Sequence, residues 1–312
     1  MSDNFVAINS AKANFDDIYV KADPRAYFSV LGALDYMIPD VAAPVVRQII
    51  AAFARRYGRK PRVLDVGASY GINAAVHRFP VTFSTLRRRY ARHEMAALEP
   101  AEVARLDRNY YASWPDKGLA TFVGLDVSEQ AIRYAKDVGL IEEGIVADLE
   151  HEPLTARAAE IVADVDIVLS TGAVGYVSEK TFGSILEAAT RPPWVVSFVL
   201  RMFPYDDFQA LFEASGLSTE HLDSALFTQR RFTDLAEFEH CLQRLAGRGL
   251  DSGGLESRGL LQADLFVSRP ASDVRHGRLE DIVTISVGRN RPTGPRYVHV
   301  PTLEGQQVAL EP

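Results

Sequence analysis

Short apolar runs alternate with amphipathic stretches along most of the chain. Runs rich in Val, Ile and Leu, of the kind buried in a parallel sheet, predict strands at 62–66, 120–127, 144–148, 165–170 and 194–200. Apolar residues at helical spacing predict helices between several of these strands, for example at 129–137 and 179–190. Because strands and helices alternate, the pattern indicates an α/β fold with a doubly wound sheet.

Helices are also predicted before the first strand and after the first strand–helix unit. Residues 1–60 form a predicted N-terminal helical cap, which is clearest at 44–57. Asp126 of the second strand follows Asp65 of the first at about three times the roughly 20-residue spacing of an ordinary dinucleotide-type unit. We attribute the excess to an insertion over 77–119. Its helices are predicted at 83–98 and 100–111. At the carboxyl end of the strands, where open α/β folds bind ligands, the insertion would roof a site.

The pattern changes after the fifth strand. Strands are predicted at 227–232 and 263–269, on either side of a helix at 235–245. We expect both strands to lie at the edge of the sheet. Beyond Pro270 the chain is rich in Arg, Asp, Gly and Pro. Two β-like runs follow, at 281–287 and 296–300. We therefore expect a core domain over 61–270 and a C-terminal appendage over 271–312, which packs on the domain or serves an oligomer.

The composition is that of a globular protein without a nucleic-acid or membrane partner. The chain has 312 residues, of which 47% are hydrophobic and 24% charged, with a formal net charge of −7. Phosphate binding usually needs a basic surplus, and the one dense basic run, at 87–92, has the spacing of a solvated helix face. No apolar stretch approaches the about 18 residues of a membrane span, and the first residues lack a signal-peptide pattern. We expect a cytoplasmic protein.

Neither a disulfide nor a metal site is expected. Cys241 is the single cysteine, which excludes a disulfide within the chain and a Cys-based zinc site. The seven histidines are scattered, and none is paired at the helical spacing of metal ligands.

A glycine-containing turn and acidic residues stand at the ends of the first three strands. Strand 62–66 leads into the turn from Gly67 to Gly71, where glycine permits a sharp bend and close approach of the backbone to a ligand. Asp126 can accept hydrogen bonds from both ribose hydroxyls, and Asp148 would lie within reach of an adenine amino group. Tight packing would explain the glycines alone, and helix capping would explain Asp126 alone. Their position at successive strand ends of one edge favours a nucleotide-type site.

The motifs, taken in order, resemble one enzyme family. The segments VLDVGASYG, FVGLDVS, IVADL, VDIVLSTGAVGY and WVVSFV are similar to those of class I S-adenosylmethionine-dependent methyltransferases of the small-molecule type. The resemblance covers roughly residues 40 to 270. It implies a Rossmann-like, seven-stranded, doubly wound sheet with a terminal antiparallel strand, here 263–269, and S-adenosylmethionine as the cofactor.

The same resemblance assigns the cofactor-binding residues. It places the methionine end against Asp65 and the glycine turn, the ribose against Asp126, and the adenine against Asp148. The full implied set is Asp65, Gly67, Ala68, Ser69, Gly71, Asp126, Val127, Asp148, Leu149, Ser170, Thr171 and Gly172. Ser69 departs from the family pattern, because it replaces the usual middle glycine and places a hydroxyl near the methionine carboxylate.

The segment after the fourth strand bears on the reaction. It reads Ser-Thr-Gly-Ala-Val-Gly-Tyr from Ser170 to Tyr176, without the Asn/Asp-Pro-Pro-aromatic signature of relatives that methylate DNA bases or protein amides. Tyr176 is a catalytic candidate, since its ring face can stabilise a cation and its phenol can orient a nucleophile; packing beneath the next helix is the alternative. Arg201, the second candidate, can bind an acceptor carboxylate or pair with Asp206 or Asp207.

Tyr27 in the cap is the third catalytic candidate. Other side chains that can face the pocket are Tyr36, His77, His93, Glu94, Tyr110, Tyr111 and Tyr205. Most histidines found this way are surface or core residues rather than bases, so His77 and His93 are the weaker candidates.

Three functions fit these observations. The first is methyl transfer from S-adenosylmethionine to an oxygen or nitrogen of a small metabolite, in secondary metabolism in particular, with catalysis by proximity and orientation. The second is an S-adenosylmethionine cyclase, a lyase that forms azetidine-2-carboxylate and methylthioadenosine; it is motivated by the roofed site and the absence of an obvious base. The third is a noncatalytic cofactor-binding protein. The partner is expected to be a small-molecule substrate, and a homodimer is left open.

Overall fold

A ten-stranded mixed sheet runs through the computed structural model, which describes residues 15–285, 297–302 and 305–310. The strands are β1 Arg62–Val66, β2 Thr121–Asp126, β3 Glu143–Val146, β4 Ile167–Thr171, β5 Trp194–Leu200, β6 Leu217–His221, β7 Leu226–Arg231, β8 Leu260–Pro270, β9 Tyr297–Thr302 and β10 Gly305–Leu310. Their order is β3-β2-β1-β4-β5-β8-β7-β10-β9, and β6 pairs separately with β8.

The α-helices of the described residues follow the apolar periodicity of the sequence. They are α1 Asp16–Tyr19, α2 Arg25–Ala33, α3 Ile38–Tyr57, α4 Ile72–Arg78, α5 Phe83–Tyr90, α6 His93–Ala96, α7 Pro100–Ala112, α8 Glu129–Asp137, α9 Ala156–Ala163, α10 Glu179–Ala188, α11 Asp206–Ala214, α12 Leu235–Gly247, α13 Ala271–His276 and α14 Leu279–Ile282. Helices α5, α8 and α12 begin at the side-chain caps Thr82, Ser128 and Asp234. Helix α3 ends at Gly58, whose left-handed backbone terminates it.

The strand directions confirm the expected Rossmann-like fold. Strands β1 to β5 are mutually parallel, and β8 is antiparallel to β5. Strands β4 and β5 are buried along their whole length. Because β7 is antiparallel to β8, it points the same way as β1. The carboxyl ends of β1 to β5 and β7 therefore lie along one side of the sheet, which we call the carboxyl edge.

The sheet is larger than the seven strands that the sequence predicted. Strand β6 was not predicted, because its sequence LSTEH has no apolar pattern and it is only partly buried. The expectation that 263–269 is an edge strand is wrong, since β8 pairs with β5 on one side and with β6 and β7 on the other. Strands β9 and β10 extend the sheet beyond β7.

The predicted β-like run at 281–287 is also wrong in its first half. Asp281 and Ile282 close the short helix α14, in which the Asp281 side chain accepts a hydrogen bond from the backbone N–H of Arg278 at 3.1 Å. A carboxylate in the first turn stabilises the start of a helix. The spacing of apolar residues gives no sign of this local contact, so it predicted a strand here. Residues 286 and 287 lie outside the described residues.

The N-terminal helices cross the carboxyl edge from β2 to β7. At the β2 end, the Ser128 hydroxyl donates to the Tyr19 carbonyl at 2.5 Å. At the β7 end, the backbone N–H of Met37 donates to the carbonyl of Gln229 at 2.8 Å. The segment 19–37, which we call the cap segment, is thus held over the edge at both ends.

The inserted helices pack on the cap segment and on helix α8. Helix α5 packs on α2, and α7 packs on α8. The buried carboxylate of Asp107 in α7 accepts from the hydroxyls of Tyr90 at 2.9 Å and Tyr134 at 2.7 Å, which fixes the insertion beside α8. The ring of Phe83, at the start of α5, lies 6.1 Å from the ring of Tyr27 and 5.3 Å from that of Tyr36, so the insertion contacts the cap segment directly.

In the described part of the chain, no single helix has the length and apolarity that crossing a membrane requires. Helices α2 and α3 reach the necessary length and apolarity only when taken together, and the chain bends by 100° between them.

Candidate functional site at the carboxyl edge

Asp65 lies at the centre of the carboxyl edge. Its side chain is buried, and its Oδ1 accepts a hydrogen bond from Asn73 Nδ2 at 2.8 Å. The same Asn73 nitrogen lies 2.9 Å from Thr171 Oγ1, which ties the ends of β1 and β4 together. Asp65 Oδ2 has no hydrogen-bond partner among the described residues. Burial, with a smaller contribution from nearby Asp126, raises the pKa of Asp65 to about 7, against the opposing effect of the Asn73 hydrogen bond.

Backbone N–H groups of the glycine-containing turn form hydrogen bonds within the protein. The N–H groups of Gly67 and Ala68 donate to the Leu125 carbonyl, at 2.9 Å and 3.1 Å, and that of Gly71 donates to Ala68 at 2.9 Å. These three N–H groups are therefore already bonded within the protein. Ser69 has a left-handed φ of 49°, which explains why the family prefers glycine there. Its buried Oγ has no hydrogen-bond partner among the described residues.

Asp126 connects the turn to the start of α8. Its Oδ2 accepts from the backbone N–H of Ser69 at 2.8 Å, and its Oδ1 accepts from that of Ser128 at 2.9 Å. Burial raises the pKa of this carboxyl although these backbone hydrogen bonds act to lower it. Each carboxylate oxygen has a second lone pair, so Asp126 can cap the helix and still accept from two ribose hydroxyls. The two interpretations given by the sequence are thus compatible.

The residues expected around an adenine differ in the hydrogen bonds and the exposed surface that they offer a ligand. Asp148 accepts from the Glu150 backbone N–H at 3.1 Å, and its Oδ2 lies 2.8 Å from Nδ1 of His151. Leu149 is buried in the core, so it offers little surface to a ring. Val127, the residue after β2, is 67% exposed and presents apolar surface to solvent.

The end of β4 divides its predicted residues between the two faces of the sheet. Thr171 shares a face with Asp65, as their common partner Asn73 shows. Ser170 lies opposite Ser197 in the β4–β5 register, and strand alternation directs its hydroxyl to the other face. Gly172 has a φ of 116°, a backbone conformation that favours glycine.

A group of tyrosines from the cap segment lies next to Asp65. The rings of Tyr19 and Tyr36 lie 5.8 Å and 6.5 Å from that of buried Tyr27. Burial is the main cause that raises the pKa of Tyr27 and Tyr36, and Asp65 is among the neighbours that add to it. Tyr176 is 42% exposed and is the neighbour that contributes most, after burial, to the raised pKa of Tyr36. The structure thus brings the catalytic candidates Tyr27 and Tyr176 to one cluster.

Arg201 is placed in a buried ion pair. Its Nη1 lies 2.8 Å from Glu256 Oε2, and its Nη2 donates to the Asp251 carbonyl at 3.0 Å. Both side chains of the pair are almost fully buried. This geometry favours a structural role for Arg201 over the predicted binding of an acceptor carboxylate. The sequence gave no signal for Glu256 as its partner.

The remaining candidates lie away from the tyrosine group. His77 is buried and stacked on Phe122, and burial lowers the pKa of its imidazole to about 3, so it stays neutral at ordinary pH. His93 and Glu94 are exposed on α6. The other tyrosines pack elsewhere, Tyr110 beneath the Arg89 guanidinium, Tyr111 on Phe79, and Tyr205 on Phe266.

Three residues at this edge were not singled out from the sequence. Asn73 and Tyr19 were missed because an isolated Asn or Tyr in a helical stretch carries no positional signal. Gln229 was missed although the sequence carries a visible signal, the polar triplet Gln-Arg-Arg at 229–231 within the predicted strand 227–232. Among the described residues, no group of three or more His, Cys, Asp or Glu side chains is arranged to hold a metal ion.

Comparison of the sequence with family models and with curated proteins finds no match. Among solved structures, a TehB-like S-adenosylmethionine-dependent methyltransferase from Corynebacterium glutamicum is 15% identical with a TM-score of 0.35, over 70% of this chain and 86% of that one. Magnesium protoporphyrin IX methyltransferase from Synechocystis PCC 6803, with bound S-adenosylmethionine, is 10% identical with a TM-score of 0.39. The match covers 86% of this chain and 98% of that one.

The plantazolicin methyltransferase BamL, crystallised with a triazolic desmethyl analogue and S-adenosylhomocysteine, is 11% identical with a TM-score of 0.39. The match covers 85% of this chain and 98% of that one. Because such similarities are low, we base the proposed function on the residues of the site.

Proposed function

We propose that the chain binds S-adenosylmethionine at the carboxyl edge and directs its methyl group to an oxygen or nitrogen of a small metabolite. The observation that carries this proposal is Asp65, whose buried Oδ2 has no hydrogen-bond partner among the described residues. Such an oxygen is costly to bury unless a ligand satisfies it. The α-ammonium of S-adenosylmethionine is a donor of the right charge, at the position implied by the sequence resemblance.

The other residues of the edge fit the rest of this cofactor. The free Ser69 hydroxyl can donate to the methionine carboxylate, Asp126 can accept from the ribose hydroxyls, and exposed Val127 can pack on the adenine. Asp148 can exchange its His151 contact for the adenine amino group. The tyrosine group adds ring faces and neutral phenols beside Asp65, which suits a sulfonium cation.

Catalysis by this site would rest on position. Bound S-adenosylmethionine supplies an already activated methyl group, so the protein needs chiefly to align the acceptor and exclude water. The cap segment covers the carboxyl edge between β2 and β7. At the boundary of the cap segment, the phenol of Tyr176 can orient a nucleophile.

A second candidate function is favoured by the raised pKa of Asp65. In a cyclase, S-adenosylmethionine is the substrate: a bond forms between its amino nitrogen and its own Cγ, and the Cγ–S bond breaks. The products are azetidine-2-carboxylate and methylthioadenosine. The ammonium must first lose a proton, and a buried carboxylate with a pKa of about 7 beside it can accept one. No acceptor is needed for this reaction.

One incubation separates these functions. Purified protein is incubated with S-adenosylmethionine alone, and the products are identified by mass spectrometry. Methyl transfer predicts that the cofactor stays intact until small phenols, alcohols or amines are added, when S-adenosylhomocysteine is released. Methylthioadenosine with a cyclised amino acid, formed faster than without protein, would instead establish the cyclase.

Two further outcomes bear on the binding proposal. Tight binding of S-adenosylmethionine without consumption under any of these conditions would indicate a noncatalytic cofactor-binding protein. Asp126→Ala should weaken binding in all three cases, because the ribose hydroxyls lose their acceptor. Unchanged affinity in that variant would remove Asp126 from the proposed site.

A further inference from the structure

A cavity lies at the side of the sheet where strands β1 to β5 begin, opposite the carboxyl edge. Trp194, the first residue of β5, and Arg269, near the end of β8, form part of its wall, together with the last turn of α3 and residues of α13 and α14. Its volume is about 350 Å³, which is within the range of small-molecule sites. Strand β5 has 7 residues, so the cavity lies about 20 Å from the carboxyl edge. We call it the amino-edge cavity.

Arg269 is the buried cation of this cavity. Its side chain is 1% exposed, and its guanidinium lies over the ring of Trp194, with 5.0 Å between Cζ and the ring centroid. Nη2 donates to the carboxylate of Glu220 and, at 2.9 Å, to the carbonyl of Gly277. Nε is buried and has no hydrogen-bond partner. A buried guanidinium with an unsatisfied donor costs free energy, which a ligand at the wall of the cavity can offset.

Two further arginines and a histidine line the same cavity. Arg55 and Arg56 lie in the last turn of α3, and His276 is the last residue of α13. All three are exposed. Arg55 forms no ion pair with another described residue. Cationic side chains from α3 and β8 therefore meet at one place, although these elements are far apart in sequence.

The carboxylate of Asp273, which also lines the cavity, is fully engaged by the protein. It accepts hydrogen bonds from Arg56 Nε at 2.9 Å, from the Tyr57 hydroxyl at 2.5 Å and from Trp194 Nε1 at 2.9 Å. Burial acts to raise the pKa of Asp273, but these three donors outweigh it and lower that pKa. Asp273 is therefore a bound anion that fixes Arg56 at the cavity.

The other carboxylates near the cavity are also bound within the protein. Asp281 accepts from the backbone N–H of Arg278 at 3.1 Å. Glu220, the partner of Arg269, accepts in addition from the backbone N–H of Leu279 at 2.9 Å. The cavity thus combines three arginines with carboxylates that already have donors, and this arrangement suits an anionic ligand.

We propose that the amino-edge cavity binds the phosphate group of a small phosphorylated molecule. Guanidinium groups match pairs of phosphate oxygens, and a phosphate monoester offers three terminal oxygens at one centre to Arg55, Arg56 and Arg269. The cavity is larger than a phosphate ion requires. Ala52 and Ile282 also line it and provide apolar surface for a short organic part. The site is remote from the carboxyl edge, so this inference does not depend on the proposed function.

Calorimetry on the full chain at low ionic strength tests this inference with phenyl phosphate and with phthalate, an aromatic dicarboxylate of similar size. We expect phenyl phosphate to bind about tenfold more tightly than phthalate, because only the phosphate gathers its oxygens at one centre. Arg55→Gln should weaken phenyl phosphate binding about tenfold, as the loss of one charge-assisted hydrogen bond allows. Arg105→Gln, at an exposed position of α7, removes the same charge away from the cavity and is the matched control.

The buried cation is tested with a second variant. Arg269→Gln should weaken phenyl phosphate binding by at least about tenfold. This substitution leaves Glu220 without its cation, so the double variant Arg269→Gln/Glu220→Gln, which removes both charges, replaces it if circular dichroism shows that the single variant does not fold.

Several results would overturn the proposal. Phenyl phosphate that does not bind, or phthalate that binds as tightly, would exclude a phosphate site. Equal weakening by Arg55→Gln and Arg105→Gln would indicate only general attraction of an anion to the surface, and wild-type affinity in a folded Arg269 variant would remove the buried cation from the site. Competitive displacement of phenyl phosphate by S-adenosylhomocysteine would place the phosphate at the carboxyl edge instead.

Discussion

At the scale of single residues, the site is defined by polar atoms that the fold buries without satisfying. Asp65 Oδ2 and Ser69 Oγ have no hydrogen-bond partner among the described residues, and both lie at the turn after β1. Ser69 also holds a left-handed φ, a conformation that costs a non-glycine residue free energy. A fold retains such costs where a ligand compensates for them, and this is the physical basis of the proposed cofactor site.

The ionisation of Asp65 gives a prediction about pH. Its pKa is raised from 3.8 to about 7, so folding disfavours the carboxylate, and the unliganded protein should lose stability as pH rises between those values. A cationic ligand favours the carboxylate and releases the proton on binding. We therefore expect S-adenosylmethionine affinity to rise by up to tenfold per pH unit below about pH 7 and to level off above it.

Calorimetric titration from pH 5.5 to 8.5, in two buffers of different ionisation enthalpy, measures both the affinity and the released proton. Asp65→Asn should bind weakly at every pH and show no proton release. If the variant keeps the wild-type slope, another group is responsible and Asp65 does not face the ammonium.

At the scale of elements, ion pairs fix the loops around the edge. Arg201, at the end of β5, joins Glu256 in the segment that precedes β8. The cap segment is held to β7 in a similar way. The Arg231 side chain pairs with Asp35, and the Arg231 backbone N–H donates to the Leu34 carbonyl at 2.7 Å. The position of each element thus depends on a partner that is distant in sequence.

The Arg201–Glu256 pair can be tested by removing one partner and then both. Arg201→Ala leaves a buried carboxylate without its cation, and we expect the free energy of unfolding to fall by about 3–5 kcal/mol. Replacing both residues with Met should recover most of this loss, because no buried charge remains. Urea unfolding followed by circular dichroism measures both changes. An Arg201→Ala variant of wild-type stability that has lost turnover would restore the acceptor-binding role.

At the scale of the whole molecule, the C-terminal strands are part of the central sheet. Strand β10 pairs with β7 in parallel, and β9 pairs with β10. Gln307 of β10 is buried, and its amide donates to Thr228 at 2.6 Å and to Gln262 at 3.1 Å. This end of the chain therefore supports β7, whose carboxyl end lies at the carboxyl edge.

Gln307→Leu tests that support. The variant leaves Thr228 and Gln262 with fewer hydrogen bonds in a buried position, so we expect a loss of about 1–3 kcal/mol in the free energy of unfolding. Gln209→Leu, at an exposed position of α11, should change the unfolding midpoint little, and urea denaturation of the two variants gives the comparison. Equal midpoints would mean that β10 contributes nothing to the stability of the sheet.

The sequence by itself determined the elements whose residues carry a local signal. Strand β1, strand β5 and helix α8 begin and end where apolar periodicity and capping predict. The turn at 67–71 and Asp126 were predictable because parallel strands bring their carboxyl ends to one edge.

Only the tertiary structure decided what depends on contacts between distant segments. These include the central place of β8, the partner of Arg201 and the cap segment over the edge. Strand order, burial and register arise from packing between residues far apart in sequence, and no local pattern encodes them.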